Sequence, residues 1–303
     1  MRLNQIRVFL AIIDSGSIRS AAKQLGVTQP AVTKALRQLE ESLHARLLDR
    51  TPHGVVPTLA GRAFIARARA VQSELRKAEE DLAQLSGERA GSVAFGFSLV
   101  GLQIVTEAFS RFREHFPDAR VRIVEAVSPM LLPLVRDETL DFVVGRWTGG
   151  KSDPSINARP LLPCPMSVAG RAGHPRTGTR SLGDLVDAEW IVVNLPGAGA
   201  SMVEKAFLST GLSVPKRITQ CESFAAMLLL MAETDLLAVL PQPLLATPFG
   251  RVGLQALAIK EPLPRETINL ITRADVRHTP LAADMVAAVK KAAKQLAKRG
   301  HGA

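Results

Sequence analysis

The sequence predicts an α/β protein overall, with an N-terminal segment of helices and a longer C-terminal segment of mixed strands and helices. Two observations support this fold class. Apolar residues recur at helical spacing through residues 3–85, whereas short strand-like and helical runs alternate from residue 92 onward. The change falls at residues 87–91, which we expect to form a linker. A chain of 303 residues has room for roughly two or three domains.

The composition is that of an ordinary globular protein and excludes several classes. Apolar residues make up 47% and charged residues 22%, which excludes wholesale disorder and collagen. Two cysteines, Cys164 and Cys221, are too few for a disulfide scaffold, and we expect two separate buried residues. The six histidines are scattered without metal-ligand spacing, so we expect neither a metal nor a cofactor. We find neither a signal peptide nor an apolar run of about 18 residues, so we expect a cytoplasmic protein with no membrane partner.

The net charge of +10 is concentrated at the two ends of the chain. Residues 1–72 hold 11 Lys+Arg against 4 Asp+Glu, and residues 290–303 hold 5 basic and no acidic residues. A basic N-terminal segment favours a nucleic-acid partner, although surface solvation is an alternative. The chain has no tyrosine and only 4% aromatic residues, whereas readers of single strands stack bases on aromatic rings. Duplex DNA is therefore the better candidate.

Three short helices are predicted over residues 3–43. The first ends at residues 14–16, Ser17 is a good N-cap for the second, and Thr28 can cap the third with Pro30 in its first turn. In the third helix one apolar face steps by 4, 3 and 4 residues. That face consists of Val32, Leu36, Leu39 and Leu43. The opposite face and its flanks carry Gln29, Pro30, Thr33, Lys34, Arg37 and Gln38.

A helix, a glycine turn and a second helix are typical of a helix-turn-helix, whose second helix enters the major groove. The polar face suits that task. Gln29 can pair with adenine, Lys34 and Arg37 can reach guanine or phosphate, and Thr33 can meet a thymine methyl group. A helical bundle with an exposed polar face is the alternative.

Residues 47–57 predict a short β-hairpin or wing, and Thr58 opens a long helix to about Ser86. The apolar positions of this helix form a three-heptad seam. They are Phe64, Ala68, Val71, Leu75, Ala78, Leu82 and Leu85. A helix of about 40 Å is long for a small domain to cover, so we expect it to dimerise. Packing along its own domain is the alternative.

From residue 92 the pattern predicts a parallel sheet with helices on both faces, divided into two small lobes. Predicted strands span residues 93–98, 120–127, 141–145, 190–193, 218–221, 236–240 and 268–273. Predicted helices span residues 102–115, 130–137, 182–186, 202–210, 224–233 and 280–299. The proline-bearing segments 161–165 and 261–267 are candidates for the crossovers between lobes.

Two stretches of the N-terminal segment resemble the LysR-type transcriptional regulators. They read Ala21-Ala22…Leu25…Thr28-Gln29-Pro30-Ala31-Val32-Thr33…Leu36…Leu39-Glu40 and Leu47-Leu48-Asp49-Arg50…Val55…Pro57-Thr58…Ala60-Gly61. The resemblance implies a winged helix-turn-helix at residues 1–58 and a linker dimerisation helix at 59–87. It further implies a two-lobed, periplasmic-binding-protein-like effector domain. Lobe I would comprise 91–161 and 268–303, and lobe II 162–267.

The resemblance also implies site residues. The DNA contacts would be Arg19, Thr28, Gln29, Pro30, Thr33, Lys34, Arg37, Arg50 and His53. Lys34 departs from the family pattern, which usually has Ser followed by Arg or a small residue, and this puts base specificity there in doubt. The dimer would use Phe64, Val71, Leu75, Ala78, Leu82 and Leu85. A homodimer, commonly a homotetramer, is expected, and RNA polymerase is a further candidate partner.

Effector contacts are expected at the carboxyl ends of strands, where doubly wound sheets bind ligands. Strand ends and the glycine loop supply Ser98, Leu99, Val100, Gly197, Ala198, Gly199, Ala200 and Ser201, and family analogy adds Ser128, Pro129, Arg146 and Trp147. Arg146 could neutralise a carboxylate or sulfonate, which favours a small organic anion, or could be an ordinary surface arginine. Ordinary turns with caps are the alternative for the two loops.

These patterns favour a DNA-binding regulator controlled by a small effector over an enzyme. The glycine loop lacks the Gly-Lys-Ser/Thr of a Walker A motif, and Ser201 lacks the following glycine of a hydrolase elbow. Two rival hypotheses are an α/β enzyme or binding protein with a helical appendage, and a non-specific architectural DNA protein.

Overall fold

The computed structural model describes residues 1–51, 54–85, 91–149, 153–193, 200–247, 253–275 and 277–300, with the backbone alone at residues 50, 80, 81, 83–85 and 300. The chain divides into two compact units. The N-terminal unit comprises Met1–Ala90 with Arg136–Thr139, and the C-terminal unit comprises Gly91–Val135 with Leu140–Ala303. None of the helices in the described part of the chain is long and apolar enough to span a bilayer.

The N-terminal unit contains the three predicted helices, the hairpin and the long helix. These are α1 (Leu3–Ser15), α2 (Ile18–Leu25), α3 (Gln29–Leu43), β1 (Leu48–Thr51), β2 (Gly54–Pro57) and α4 (Leu59–Leu85). The predicted caps form, since Ser17 accepts a hydrogen bond from the Ser20 amide and Thr28 from the Ala31 amide. Gly16 and Gly26 end α1 and α2 at φ 72° and 67°, a left-handed conformation that glycine adopts without steric cost.

The core of this unit is formed by the inward faces of α1, α2 and α3. Val32 and Leu39 are fully buried and Leu36 nearly so, which places the apolar face of α3 where the spacing predicts it. Phe9 of α1 is also fully buried, and its ring lies 5.4 Å from that of Phe64 at the start of α4. Burial of large apolar side chains is the main stabilising contribution to such a small helical unit.

Glu40 joins α3 to the hairpin. Its carboxylate accepts hydrogen bonds from the Leu47 amide at 2.7 Å and the Leu48 amide at 3.2 Å. The Val55 amide of β2 donates to the Gly16 carbonyl at 3.2 Å. These bonds satisfy backbone donors where the chain leaves regular structure, so they fix where the hairpin lies relative to α3.

The apolar seam of α4 is covered only at its start. Ala68 is 1% exposed against the helical core, whereas Val71 is 39%, Leu75 41% and Leu82 65% exposed. Ala78 is exposed as well. Packing of α4 along its own domain therefore accounts for the first turns of the helix but leaves these four seam residues exposed, while the side chain of Leu85 lies outside the described residues.

The C-terminal unit contains ten strands and six α-helices among its described residues. The strands are β3 (Ser92–Phe97), β4 (Arg120–Glu125), β5 (Phe142–Arg146), β6 (Ile156–Cys164), β7 (Met166–Arg171), β8 (Trp190–Val193), β9 (Ile218–Cys221), β10 (Ala238–Pro241), β11 (Leu254–Ala256) and β12 (Glu266–Arg273). The helices are α5 (Leu102–His115), α6 (Ser128–Arg136), α7 (Met202–Ser209), α8 (Phe224–Glu233), α9 (Gln242–Leu245) and α10 (Pro280–Gly300). The helix predicted at 182–186 is a single 3₁₀ turn, Gly183–Leu185.

The sheets are mixed, which corrects the expectation of a parallel sheet. The larger sheet has the order β4-β3-β5-β12-β6, and β12 runs antiparallel to both of its neighbours. In a second sheet β7 lies antiparallel between β10 and β11, while β8 and β9 form a parallel pair. Helices connect β3, β4 and β5, which is the condition for parallel pairing. The chain returns to the larger sheet after β11 of the second sheet, and β12 enters it antiparallel to β5 and β6.

Three strands, β6, β7 and β11, are absent from the sequence prediction. The segment 161–165 is predicted to be a crossover because of its prolines, yet its first four residues, Pro163 among them, continue β6, and Pro165 alone separates β6 from β7. The strand β6 is at the edge of its sheet, where a residue without an amide hydrogen leaves no ladder bond unmade. The second predicted crossover, 261–267, ends in the first two residues of β12.

Helices cover both faces of the larger sheet, as predicted. Alternate residues of β3, Val93, Phe95 and Phe97, pack with α5 and α10 in one apolar cluster. Val143 of β5 and Ile271 of β12 face the other side and pack with α6. This alternation follows from the two-residue period of a strand.

We expect Glu40→Ala to destabilise the N-terminal unit by about 1–3 kcal/mol, because two backbone amides lose their shared acceptor. Urea unfolding followed by circular dichroism measures the change, and hydrogen exchange of the Leu47 and Leu48 amides localises it. The matched control is Glu41→Ala, which removes an exposed carboxylate paired with Arg37 and should cost no more than about 0.5 kcal/mol. Equal destabilisation by the two variants would contradict the positioning role of Glu40.

Candidate functional site

The outward face of α3 carries a compact group of polar side chains. Gln29, Pro30, Lys34 and Arg37 are exposed, and with Thr33 they line a shallow depression in the surface. Thr33 is half-buried, and its hydroxyl donates to the Gln29 carbonyl at 3.0 Å. None of these five side chains packs into the core of the N-terminal unit, so this face of α3 can contact a partner.

The ends and neighbours of this face add charge and hydrogen-bond donors. The Thr28 side chain caps the N-terminus of α3. At this helix start the free backbone amides and the helix dipole favour an anion. Arg37 pairs with Glu41 at 3.0 Å, but the two side chains are 81% and 61% exposed, so the pair contributes little stability. Arg19 is exposed on α2. The side chain of Arg50, in β1, and the whole of His53 lie outside the described residues.

A second candidate site is a cavity of about 570 Å³ in the C-terminal unit. The first residues of α6, α7 and α8 line it, together with the segments that follow β3 and β4 and with β10. Its chemically informative lining residues are Ser98, Glu125, Ser128, Arg146, Met166, Ser201, Met202, Glu222, Ser223, Phe224, Met227 and Glu266.

The cavity brings together eight of the twelve residues predicted to contact an effector. They are Ser98, Leu99, Val100, Ser128, Pro129, Arg146, Ala200 and Ser201. The structure does not place Trp147 on the cavity, because its ring packs against the apolar cluster that includes α6. Gly197, Ala198 and Gly199 lie outside the described residues.

Three carboxylates on the cavity wall were not predicted from the sequence. Glu125 ends β4 and Glu222 follows β9, so the rule that singled out Ser98 at a strand end could have found both. Glu266 begins β12, and only the antiparallel direction of that strand places its first residue at the cavity. No signal in the sequence indicates that direction.

Arg146 is held by several contacts. Its Nη1 donates to Oε1 of Glu266 at 3.0 Å and lies 3.7 Å from the sulfur of Met202. The Lys205 ammonium lies 3.9 Å from the same Glu266 oxygen. The Arg146 amide donates to the Ser98 hydroxyl at 3.4 Å. The guanidinium is therefore already paired with an internal carboxylate rather than free to receive an anion.

The serines of the cavity differ in how their hydroxyls are used. Ser201 caps α7 by accepting from the Glu204 amide, and Glu204 in turn accepts from the Ser201 amide at 2.6 Å. Ser223 caps α8 in the same way through the Ala226 amide. Ser128, the first residue of α6, is 4% exposed. These caps secure the ends of α7 and α8 and hold the wall of the cavity in place.

Burial changes the ionisation of two groups near the cavity. It raises the pKa of the Glu125 carboxyl above its ordinary value. Burial, aided by the negative charge of Glu266, raises the pKa of the Cys164 thiol to about 12. Cys164 therefore stays protonated at neutral pH and is a poor nucleophile. Both cysteines are free thiols and separate, as predicted, but Cys221 is half-buried, which corrects the expectation that both are buried.

Comparison with known proteins yields two family matches. A family described as "Bacterial regulatory helix-turn-helix protein, lysR family" matches residues 3–62, and "LysR substrate binding domain" matches residues 86–294. Among curated proteins, the HTH-type transcriptional regulator TdcA of Escherichia coli K12 is 30% identical over 258 residues, which cover 85% of this chain and 82% of TdcA.

Solved structures of similar fold cover almost the whole chain. CbnR, a LysR family transcriptional regulator, aligns with a TM-score of 0.69 at 20% identity over 97% of this chain and 99% of CbnR. Full-length CbnR complexed with its target DNA aligns with a TM-score of 0.66 at 21% identity, over 96% of this chain and 100% of the other. At these identities the likeness establishes the fold.

We expect Gly145→Ala to destabilise the C-terminal unit by about 1–3 kcal/mol, because strain in a packed interior costs that much. A Cβ at this position would lie 2.5 Å from the Ser98 hydroxyl, so the cavity wall must shift. Both tryptophans, Trp147 and Trp190, belong to this unit, so tryptophan fluorescence during urea unfolding reports on it. Gly178→Ala is the control, since its Cβ would meet nothing within 4 Å. A midpoint unchanged in both variants would contradict the close packing of Gly145 on Ser98.

Proposed function

The chain belongs to the LysR family of bacterial transcriptional regulators, and we propose that its α3 reads a specific duplex DNA under the control of an effector in the cavity. It combines a helix-turn-helix DNA-binding domain with a substrate-binding domain. The observation that carries the proposal is the outward face of α3, where Gln29, Lys34 and Arg37 are exposed while Val32, Leu36 and Leu39 are buried.

Each exposed side chain of α3 suits a different feature of the major groove. The Gln29 amide can form two hydrogen bonds to adenine, and Lys34 or Arg37 can donate to guanine or phosphate. Because the Arg37–Glu41 pair is solvent-exposed, the guanidinium can exchange its carboxylate for DNA at little cost. Arg19 of α2 and Arg50 and His53 of the hairpin are proposed as flanking contacts.

The exposed seam of α4 supports a dimer of the chain. Val71, Leu75, Ala78 and Leu82 present one apolar stripe that the N-terminal unit leaves uncovered. Pairing this stripe with a second copy would remove it from water and place two α3 helices in one assembly. Such a dimer would read two half-sites about 34 Å, or a multiple, apart. We propose a homodimer that can assemble further into a homotetramer.

The cavity is proposed to hold a small organic effector with an anionic group. The first residues of α6, α7 and α8 line it, and the partial positive charge at a helix start favours an anionic group. An effector that binds one arrangement of the assembly better shifts the population toward it, and DNA must then affect effector affinity equally. Since its DNA partner is cytoplasmic, we propose that the protein acts there, with RNA polymerase as a further partner.

We expect Gln29→Ala to reduce the preference for the selected operator over random duplex by about 1–3 kcal/mol, because an adenine contact is lost. The operator is first selected from a random duplex library with the full chain, and affinities follow from fluorescence anisotropy at fixed salt. Lys290→Ala, an exposed change in the C-terminal unit, is the control for substitution as such. Equal weakening on operator and random DNA would indicate that Gln29 does not read bases.

We expect Leu75→Glu to convert the assembly to monomers and to weaken operator binding by at least tenfold, or about 1.4 kcal/mol, because a charge enters the apolar seam. Sedimentation velocity measures the assembly state. Gln72→Glu adds the same charge at an exposed position off the seam and should leave the assembly unchanged. A Leu75→Glu protein that remains dimeric would exclude this seam as the interface.

A further inference from the structure

The cavity of the C-terminal unit holds more negative than positive side chains. Among the described residues that line it, Glu125, Glu222 and Glu266 are acidic and Arg146 is the basic one. A ligand with negative charge alone would therefore enter a site that already has a negative excess, and repulsion between like charges opposes this. The charge balance points to a ligand that brings positive charge as well.

Arg146 does not reverse this balance, because Glu266 already holds it. The two side chains are 24% and 12% exposed and their charged atoms are 3.0 Å apart. Removing one partner of a largely buried pair leaves the other charge uncompensated, which is strongly unfavourable. Arg146 is therefore held by Glu266, whose carboxylate also has the half-exposed Lys205 ammonium 3.9 Å away, and Glu125 and Glu222 are the cavity carboxylates left for a ligand.

The carboxylates of Glu125 and Glu222 have no cationic partner in the described part of the chain, and neither carboxylate accepts a hydrogen bond from a residue described there. Burial raises the pKa of the Glu125 carboxyl, which is the behaviour of a partly desolvated acid whose charge nothing offsets. An ammonium group placed against either carboxylate would supply the missing opposite charge and donate a hydrogen bond to it.

Ser128 indicates independently that the ligand also carries a hydrogen-bond acceptor. Its side chain lines the cavity, is 4% exposed, and makes no hydrogen bond to the described residues. The hydroxyls of Ser201 and Ser223 are already used as caps, so the hydroxyl of Ser128 is the one of these three that is available to a ligand. Ser128 is the first residue of α6, a helix of 9 residues. The partial positive charge at the start of this helix favours a carboxylate beside Ser128.

We propose that the effector is a zwitterion with the functional groups of a free amino acid. Its ammonium group is received by Glu125 and Glu222, and its carboxylate by Ser128 and the start of α6. The apolar surface of Met166, Met227 and Phe224 accommodates the side chain. This inference rests on the proposed function, since it specifies the effector of the same cavity.

The test compares matched ligands on the full chain. The twenty amino acids are screened at 10 mM, a concentration that reveals a Kd up to the millimolar range, by the shift in Tm of the tryptophan-containing unit. For leucine, phenylalanine, threonine and each amino acid that raises Tm, the deamino acid and the decarboxylated amine are measured beside it. We expect at least one amino acid to raise Tm, while its deamino acid and its amine have much smaller effects.

Variants then test the residues. In Glu125→Gln/Glu222→Gln the Kd of the binding amino acid should rise about tenfold or more, because hydrogen bonds to charged groups are lost. Glu233→Gln, an exposed change at the end of α8, should leave the Kd unchanged. A deamino acid as effective as its amino acid, a double variant with unchanged Kd, or no Tm shift with any amino acid would overturn the proposal. Operator binding by the unmodified chain without effector is measured in parallel. If the chain did not bind a specific operator, the proposed function itself would be refuted.

Discussion

The burial of Val32, Leu36 and Leu39 sets the rotation of α3 about its axis, and the function of the N-terminal unit depends on that rotation. When one face of a helix is buried in a core, the residues on its opposite face are determined as well, because the helix has 3.6 residues per turn. Gln29, Pro30, Thr33, Lys34 and Arg37 are therefore presented as a group rather than individually. A change in the buried face would misplace all five at once, although none of the anchoring residues touches a partner.

Two further features extend this constraint through the N-terminal unit. Glu40, on the same helix, accepts from the first amides of the hairpin, so the hairpin follows the position of α3. Phe64 and Ala68 of α4 pack into the same helical core, whereas Leu75 and Leu82 lie beyond its reach. The first turns of this long helix thus pack into the core, and the exposed apolar stripe beyond them is where we propose that a second copy packs.

In the C-terminal unit the corresponding constraint is electrostatic. Glu266 already holds Arg146 and lies 3.9 Å from the Lys205 ammonium, so we infer that a ligand is recognised by the groups that remain. Those groups are two carboxylates and a buried hydroxyl at a helix start, which is the complement of a molecule with one charge of each sign. The pairing also shows why a single arginine near a strand end is a weak indicator of an anion site: its charge depends on what faces it.

The amino-acid sequence by itself determined the N-terminal unit almost completely. Its helices, caps and hairpin depend on spacing and turn residues within a few positions of one another, and the outward face of α3 follows from the same spacing. In the C-terminal unit most helices and strands were also predictable, as were eight lining residues of the cavity. Tertiary structure alone decided the rest. The edge position of β6 made its prolines tolerable, β12 entered the larger sheet antiparallel to both of its neighbours, and Glu266 came to face Arg146 across 120 residues of chain. Such outcomes depend on which strands become neighbours, and no local pattern encodes that choice.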